Sequence, residues 1–266
     1  MSVTAWAVRC NDLDDPDLLA QLKSRLVGEI ELQKAACCRK PSDAMRFALG
    51  RSVLRALIMA TLPEQQTRPL VHWNDVTLDK KKNGTKPCLS RIAKQLFPHI
   101  ADFNISHDGE WVLAAVASDG CVGIDVARVY CPGHMADIEY INEFSLQASS
   151  LSSEEVDYLH LHSQHRITDF YRIWTAKEAY VKATGAGIAS VDLRSISVRL
   201  WMTQENSLDM TVNGQPCDLG ITSGSLDNGG YVYAVAKPVS TELSLSKVSI
   251  QHIQSSCQNT LIANAR

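Results

Sequence analysis

The sequence predicts an α+β protein built as two similar halves, each a helix packed on a small sheet. Three observations carry this. Two long stretches, "SDAMRFALGRSVLRALIMATL" and "DFYRIWTAKEAYVKATGAG", read as helices. Between them, "FNISHDGEWVLAAVASDGCVGIDVARV" is the clearest strand signal in the chain. The two helices also echo each other, since Asp43, Arg46 and Arg51 recur at the same offsets as Asp169, Arg172 and Lys177. The halves are expected to run 1–119 and 120–240, meeting near Ser118 to Val122. Residues 241–266 are left as a peripheral tail or an edge strand.

Taken in order, "AWAVRC" near the start reads as a strand. "DLLAQLKSRLVGEIELQKAACCRK" places Leu18, Leu22, Leu26 and Ile30 at helical spacing. A stronger helix follows, with Met45, Leu49, Val53 and Leu57 on one face and Ser42 or Asp43 placed to cap it. "VTLDKKKNGTKPCLS" reads as a strand entering a polar Asn83-Gly84 turn. "WVLAAVA" and "CVGIDV" are apolar runs joined by Ser118-Asp119-Gly120, which predicts a hairpin. "LSSEEVDYLHLH" opens on a capping box from Ser152 to Glu155, and the Trp174 helix comes next. "VDLRSISVRL" and "GYVYAVAKP" read as strands. From about Val239 the chain is rich in Ser and Gln, and "LSLSKVSIQ" is able to pair at a sheet edge.

The 266 residues, 45% hydrophobic, suffice for one large domain or two modest ones. A net formal charge of -3 argues against a general nucleic-acid binder, while leaving room for a local basic pocket that holds a phosphorylated small molecule. No apolar run approaches the roughly 20 residues that cross a bilayer, and the N-terminus lacks a basic region followed by an apolar one. A cytoplasmic protein without membrane or nucleic-acid partners is expected. Eight cysteines, with no C-x-x-C pair, read as free thiols in a reducing compartment. His160, His162 and His165 have no cysteine nearby, so they read as a solvated helix face rather than a zinc site.

Four places carry chemistry. On the Trp174 helix, Glu178 and Lys182 lie four residues apart on one face, with Trp174 one turn earlier and Lys177 adjacent. That is either a surface ion pair or a carboxylate that binds metal or takes a proton, with lysines to meet phosphate charge. Asp125, in "VGIDV", is a carboxylate inside an apolar strand, costly unless paired or coordinating a cation. The alternative is a strand-end Asp capping a turn. Ser106 and His107, in "FNISHDGE", are placed to hydrogen-bond an anion, although neighbours in a strand point apart and do not make a triad. Lys86, in "GTKP", follows a glycine turn and either reaches a phosphate or is simply exposed.

Together and in this order, these motifs resemble the Sfp-type 4'-phosphopantetheinyl transferases. The resemblance runs from "RKPSDAMRFALGRSVLR" through "GTKP", "FNISHDG" and "VGIDV" to "FYRIWTAKEAYVKATGAG", residues 39 to 187, and "SISVRL" extends it to about 200. It implies an α+β fold of two pseudo-symmetric halves, each a helix on a small, mostly antiparallel sheet, with coenzyme A as co-substrate between them. The implied reaction moves 4'-phosphopantetheine from coenzyme A to a serine of an apo acyl carrier protein or peptidyl carrier domain, releasing 3',5'-ADP. Fatty-acid, polyketide and nonribosomal-peptide carriers all fit, and a monomer is expected. By the same resemblance, Asp125, Glu178 and Lys182 are catalytic, and Mg2+ is held by Asp125 and Glu178. The phosphates of coenzyme A are held from Lys34, Lys40, Arg46, Lys86, Pro87, Ser106, His107, Lys177 and Lys182.

One departure stands out. Many members carry a second acid two residues after the aspartate, and "GIDVA" has Ala127 there. Asp108 is the candidate for the third magnesium ligand, on the expectation that its strand and the Asp125 strand pair. The resemblance points the same way, since some members lacking the second acid have a polar residue after the histidine. Otherwise Asp108 is the turn residue of "HDG". Two alternatives follow: a coenzyme A or carrier-binding protein that lost the chemistry, and a magnesium-dependent phosphohydrolase of unrelated fold. The carrier is expected to dock beside "RVYCPGHMADIEYINEF", which offers Tyr130, Met135, Ile138 and Tyr140.

Overall fold

In a computed structural model that describes residues 2–62, 72–80, 86–204 and 206–254, the chain divides into two units. The first is Met1–Gly120 with Glu242–Arg266, and the second is Cys121–Thr241.

The first unit runs β1 (Ser2–Arg9), α1 (Pro16–Lys23), α2 (Glu29–Ala36), α3 (Pro41–Ala60), β2 (Leu78–Lys80), β3 (Pro87–Leu89), α4 (Arg91–Leu96), β4 (Asp102–Asp108) and β5 (Trp111–Ala117). The second runs β6 (Gly123–Arg128), α5 (Asp137–Ala148), α6 (Ser153–Leu161), α7 (Arg166–Thr184), β7 (Ile196–Gln204), β8 (Ser207–Val212), β9 (Gln215–Pro216), β10 (Leu219–Leu226) and β11 (Tyr231–Pro238). The chain then returns to the first unit as β12 (Glu242–Val248).

In the first unit the sheet order is β12-β1-β5-β4, with β12 parallel to β1 and the other pairs antiparallel. The "LSLSKVSIQ" stretch is therefore an edge strand. Helix α3 lies on this sheet, and Met45, Leu49, Val53 and Leu57 are fully buried beneath it, as their spacing requires. Its start differs from the expected cap. Pro41 occupies the first turn after Lys40, and Asp43 instead pairs with Arg46 at 2.8 Å. Proline suits that position because its missing N–H would be unsatisfied there anyway. The expected Leu18-to-Ile30 helix is two short helices. Gly28, at φ 81°, breaks the run, and Ile30 turns outward, 56% exposed. The Asn83-Gly84 turn lies outside the described residues, though β2 and β3 on either side of it are paired.

The predicted "WVLAAVA"–"CVGIDV" hairpin does not form. Both edges of β5 are taken, by β1 and β4, so β6 leaves for the other sheet. There β6 pairs with β11, Asp125 opposite Ala234. The actual hairpin is β4–β5, turning at Gly109 with φ 51°. Turn residues mark a reversal without choosing the partner.

The second sheet is antiparallel throughout, in the order β6-β11-β10-β8-β7, with β9 on β8. Helix α7 packs across β6 and β11. The capping box at Ser152 and Glu155 forms as read. The internal echo has structural content. In both units the first Asp and Arg make an i,i+3 pair, at 2.8 Å for Asp43–Arg46 and 3.5 Å for Asp169–Arg172. In both, the later cation is buried against a glutamate of an earlier short helix, Arg51 against Glu31 and Lys177 against Glu155.

Candidate active site

Three of the candidate residues come together in the second unit, where α7 crosses β6. Along α7, Trp174, Glu178 and Lys182 form the partly exposed stripe, while Ile173, Ala176, Lys177 and Val181 face inward. Asp125 sits mid-strand, 6% exposed, and accepts from the Lys182 ammonium at 2.5 Å. It is thus a buried, paired carboxylate rather than a strand-end turn residue, and a cation meets the cost of its burial. Glu178 stands between them electrostatically. Burial, and after it the Asp125 charge, push its carboxyl above the ordinary glutamate range, against a smaller opposing pull from Lys182.

A residue without polar chemistry makes this meeting possible. A Cβ on Gly123 would lie 1.9 Å from the Ala179 carbonyl oxygen and 2.5 Å from the Ala183 nitrogen. Only glycine lets the α7 backbone approach β6 so closely, and Asp125, two residues on, shares that face of the strand. The signal was present as a glycine inside an apolar strand. Ala127, two residues further on the same face, is 7% exposed in the core of this unit. Trp174 rests edge-on against Phe144 of α5, centroids 5.1 Å apart.

Lys177 departs from the expected phosphate-binding role. Its side chain is fully buried, bonded to Glu155 at 2.6 Å and to the Ser150 and Leu193 carbonyls at 2.7 and 3.0 Å. Next to Glu178 in sequence, it points about 100° away from it around the helix, into the core.

The remaining candidates lie in the first unit. Ser106 is 6% exposed and His107 points out, the alternation expected of a strand. His107 and Pro87 help line a cleft of about 170 Å³, together with Phe47, Arg51 and Asn104. Lys86 is buried with its ammonium paired to Asp102, so it is not an exposed turn lysine. Arg46 donates to the Gly109 carbonyl at 2.7 Å and ties α3 to the β4–β5 turn. Lys34 and Lys40 are exposed near the end of α2 and the start of α3. Asp108 accepts from the Gly109 N–H through Oδ1 at 2.8 Å. It pairs across strands with Trp111, so the expected cross-strand route to Asp125 does not exist. Among the described residues, no group of three or more His, Cys, Asp or Glu side chains gathers as a metal site.

The stretch expected to meet a carrier is partly internal. Tyr140 packs on Phe144 and Phe170, and its hydroxyl lies 2.7 Å from that of Tyr171, which donates to the Tyr130 carbonyl at 3.1 Å. Tyr130 itself is 53% exposed.

Residues 121–236, nearly all of this unit, match the 4'-phosphopantetheinyl transferase superfamily. The chain is 30% identical over 209 residues to 4'-phosphopantetheinyl transferase ffp of Bacillus subtilis, covering 76% of this chain and 81% of that protein. It is 30% identical to 4'-phosphopantetheinyl transferase psf-1 of Bacillus pumilus, covering 80% and 81%. It is 26% identical to the L-aminoadipate-semialdehyde dehydrogenase-phosphopantetheinyl transferase of Xenopus laevis, covering 71% of this chain and 59% of that one.

Proposed function

Because the chain belongs to the 4'-phosphopantetheinyl transferase superfamily, we propose that it transfers 4'-phosphopantetheine from coenzyme A to a serine hydroxyl of an apo acyl or peptidyl carrier. The products are the holo-carrier and 3',5'-ADP. The observation that carries this reading is the constellation of Asp125, Glu178 and Lys182 on the face where α7 meets β6.

In the reaction the serine oxygen bonds to the phosphorus that carries pantetheine, and the bond from that phosphorus to the ADP oxygen breaks. Glu178, directly or through a water it holds, takes the serine proton. Lys182, with its side chain 28% exposed, meets the charge that develops on the departing ADP oxygen. Asp125 holds that ammonium in place.

Two oxygen-bearing side chains on one face, one of them resisting ionisation beside the other, fit a hard divalent cation. Asp125 and Glu178 are the proposed holders of magnesium, which when bound offsets pyrophosphate charge as the bond breaks. Ala127 supplies no oxygen. Asp108 is proposed for a further ligand on the resemblance alone. On the coenzyme A phosphates, His107, Ser106, Pro87, Arg46 and Lys86 remain proposed contacts, with Lys34 and Lys40 at the margin.

Ala127 also favours a second reading, binding without transfer. Mass spectrometry of an apo carrier incubated with coenzyme A, magnesium and the protein separates the two. Transfer adds one phosphopantetheine to the carrier, and binding alone leaves its mass unchanged.

A further inference from the structure

Lys177 holds a fully bonded buried charge in the second unit. An ammonium has three N–H groups, and all three are used, on Glu155, the Ser150 carbonyl and the Leu193 carbonyl. Glu155 in turn accepts from the backbone N–H groups of Ser152 at 2.7 Å and Val198 at 2.8 Å. One ion pair, with neither side chain exposed, thus joins α7, α6, the connection before it, β7 and the turn at Leu193.

Stability alone does not call for such a knot. Well-packed apolar side chains in place of a buried ion pair are often as stable or more so. What apolar packing lacks is direction, because a methionine fits over a range of helix rotations and three hydrogen bonds do not. Consecutive residues lie about 100° apart around a helix, so locking residue 177 fixes where residue 178 points. Residue 182 follows on the face of 178. The first unit offers the contrast. At the echo position Arg51 meets Glu31 at 3.4 Å. There Arg51 Nε, Arg55 Nη1 and Glu31 Oε1 lack a hydrogen-bond partner among the described residues. The fully bonded version belongs to the helix that carries Glu178.

We propose that Lys177 is a positioning residue for the transfer. With Glu155 it sets the rotation and register of α7, so that Glu178 and Lys182 meet Asp125. The proposal rests on the transferase reading for its consequence, and on the geometry of α7 for its cause.

The test is the paired variant Lys177→Met with Glu155→Leu, which removes both charges at similar volume. Its melting temperature is expected at or above that of the parent, with unchanged circular dichroism. Its kcat is expected to fall at least about tenfold, since small misplacements of reacting groups are costly, while KM for coenzyme A stays within about twofold. The Trp174 indole NMR signal, assigned with Trp174→Phe, is expected to shift as the ring moves against Phe144. An unmoved indole signal with parental kcat overturns the proposal. If the paired variant does not fold, Glu155→Gln serves instead. It keeps the volume and an acceptor for the Val198 N–H, and parental kcat in that folded variant is equally fatal. A parent that transfers nothing defeats the transferase reading, and the indole signal then decides the positioning role by itself.

Discussion

Glu178 is the proposed proton acceptor, and its environment makes two predictions. Glu178→Gln keeps shape and hydrogen bonding but removes the proton acceptor, so transfer is expected to fall by at least about 10² while the protein stays folded. Near-normal transfer would remove Glu178 from the mechanism. The same substitution is expected to raise the melting temperature at neutral pH in the absence of magnesium. The folded-state pKa lies above the ordinary glutamate value of 4.5, so the stability this group offers is full below that value and is lost as pH rises through the raised one. Glutamine mimics the protonated form, and its advantage is therefore expected to vanish below that pH. An advantage that persists in acid would point to a cause other than ionisation. Asp108 is tested by magnesium titration of Asp108→Ala. A ligand role predicts a higher magnesium midpoint, partly restored by adding Ala127→Glu, whereas an unmoved midpoint assigns Asp108 to its turn bond with Gly109.

At the scale of elements, the contact of α7 with β6 decides whether the site exists. Gly123→Ala would put a methyl group against helix backbone, which cannot swing aside as a side chain does. Overpacking of this kind costs at least about 1–3 kcal/mol, and here it also pushes Lys182 and Glu178 away from Asp125. Urea unfolding is expected to show the loss of stability, and the carrier assay a loss of transfer. Parental behaviour in both would mean that the strand yields without consequence. Helix α5 also packs on α7. Phe144 backs Trp174, while the Tyr140–Tyr171 pair holds the loop around Tyr130.

On the scale of the molecule, each unit repeats one plan, a long helix laid on a mostly antiparallel sheet and tied by a buried cation to an earlier short helix. The first unit is discontinuous, since β12 returns to lie beside β1. The carrier is proposed to meet the second unit at residues 128–144, where Tyr130 is exposed and Met135 and Ile138 are partly so. Amide exchange with an apo carrier is expected to show protection there. Protection confined to residues 1–119 would place the carrier elsewhere.

Much of this was legible in the chain because local rules govern it. The α3 stripe and the capping box depend on residues within a turn or two, and the Trp174–Glu178–Lys182 face follows from helical spacing. Asp125 was legible as a carboxylate among apolar neighbours, but its pairing with Lys182 rather than a strand-end turn was decided by the structure. Strand partners were not legible, because the turn at Ser118 to Gly120 marks a reversal while the occupied edges of β5 decide where β6 goes. Nor was the fate of Lys177, which in sequence matches Lys182 in charge and lies one residue from Glu178. Its direction depends on Glu155, 22 residues earlier, and on the carbonyls of Ser150 and Leu193. The sequence by itself determined which charged and aromatic residues share a helix face. Only the tertiary structure decided which of two neighbouring lysines faces the site, because that choice belongs to the buried acceptors that surround the helix and not to the helix itself.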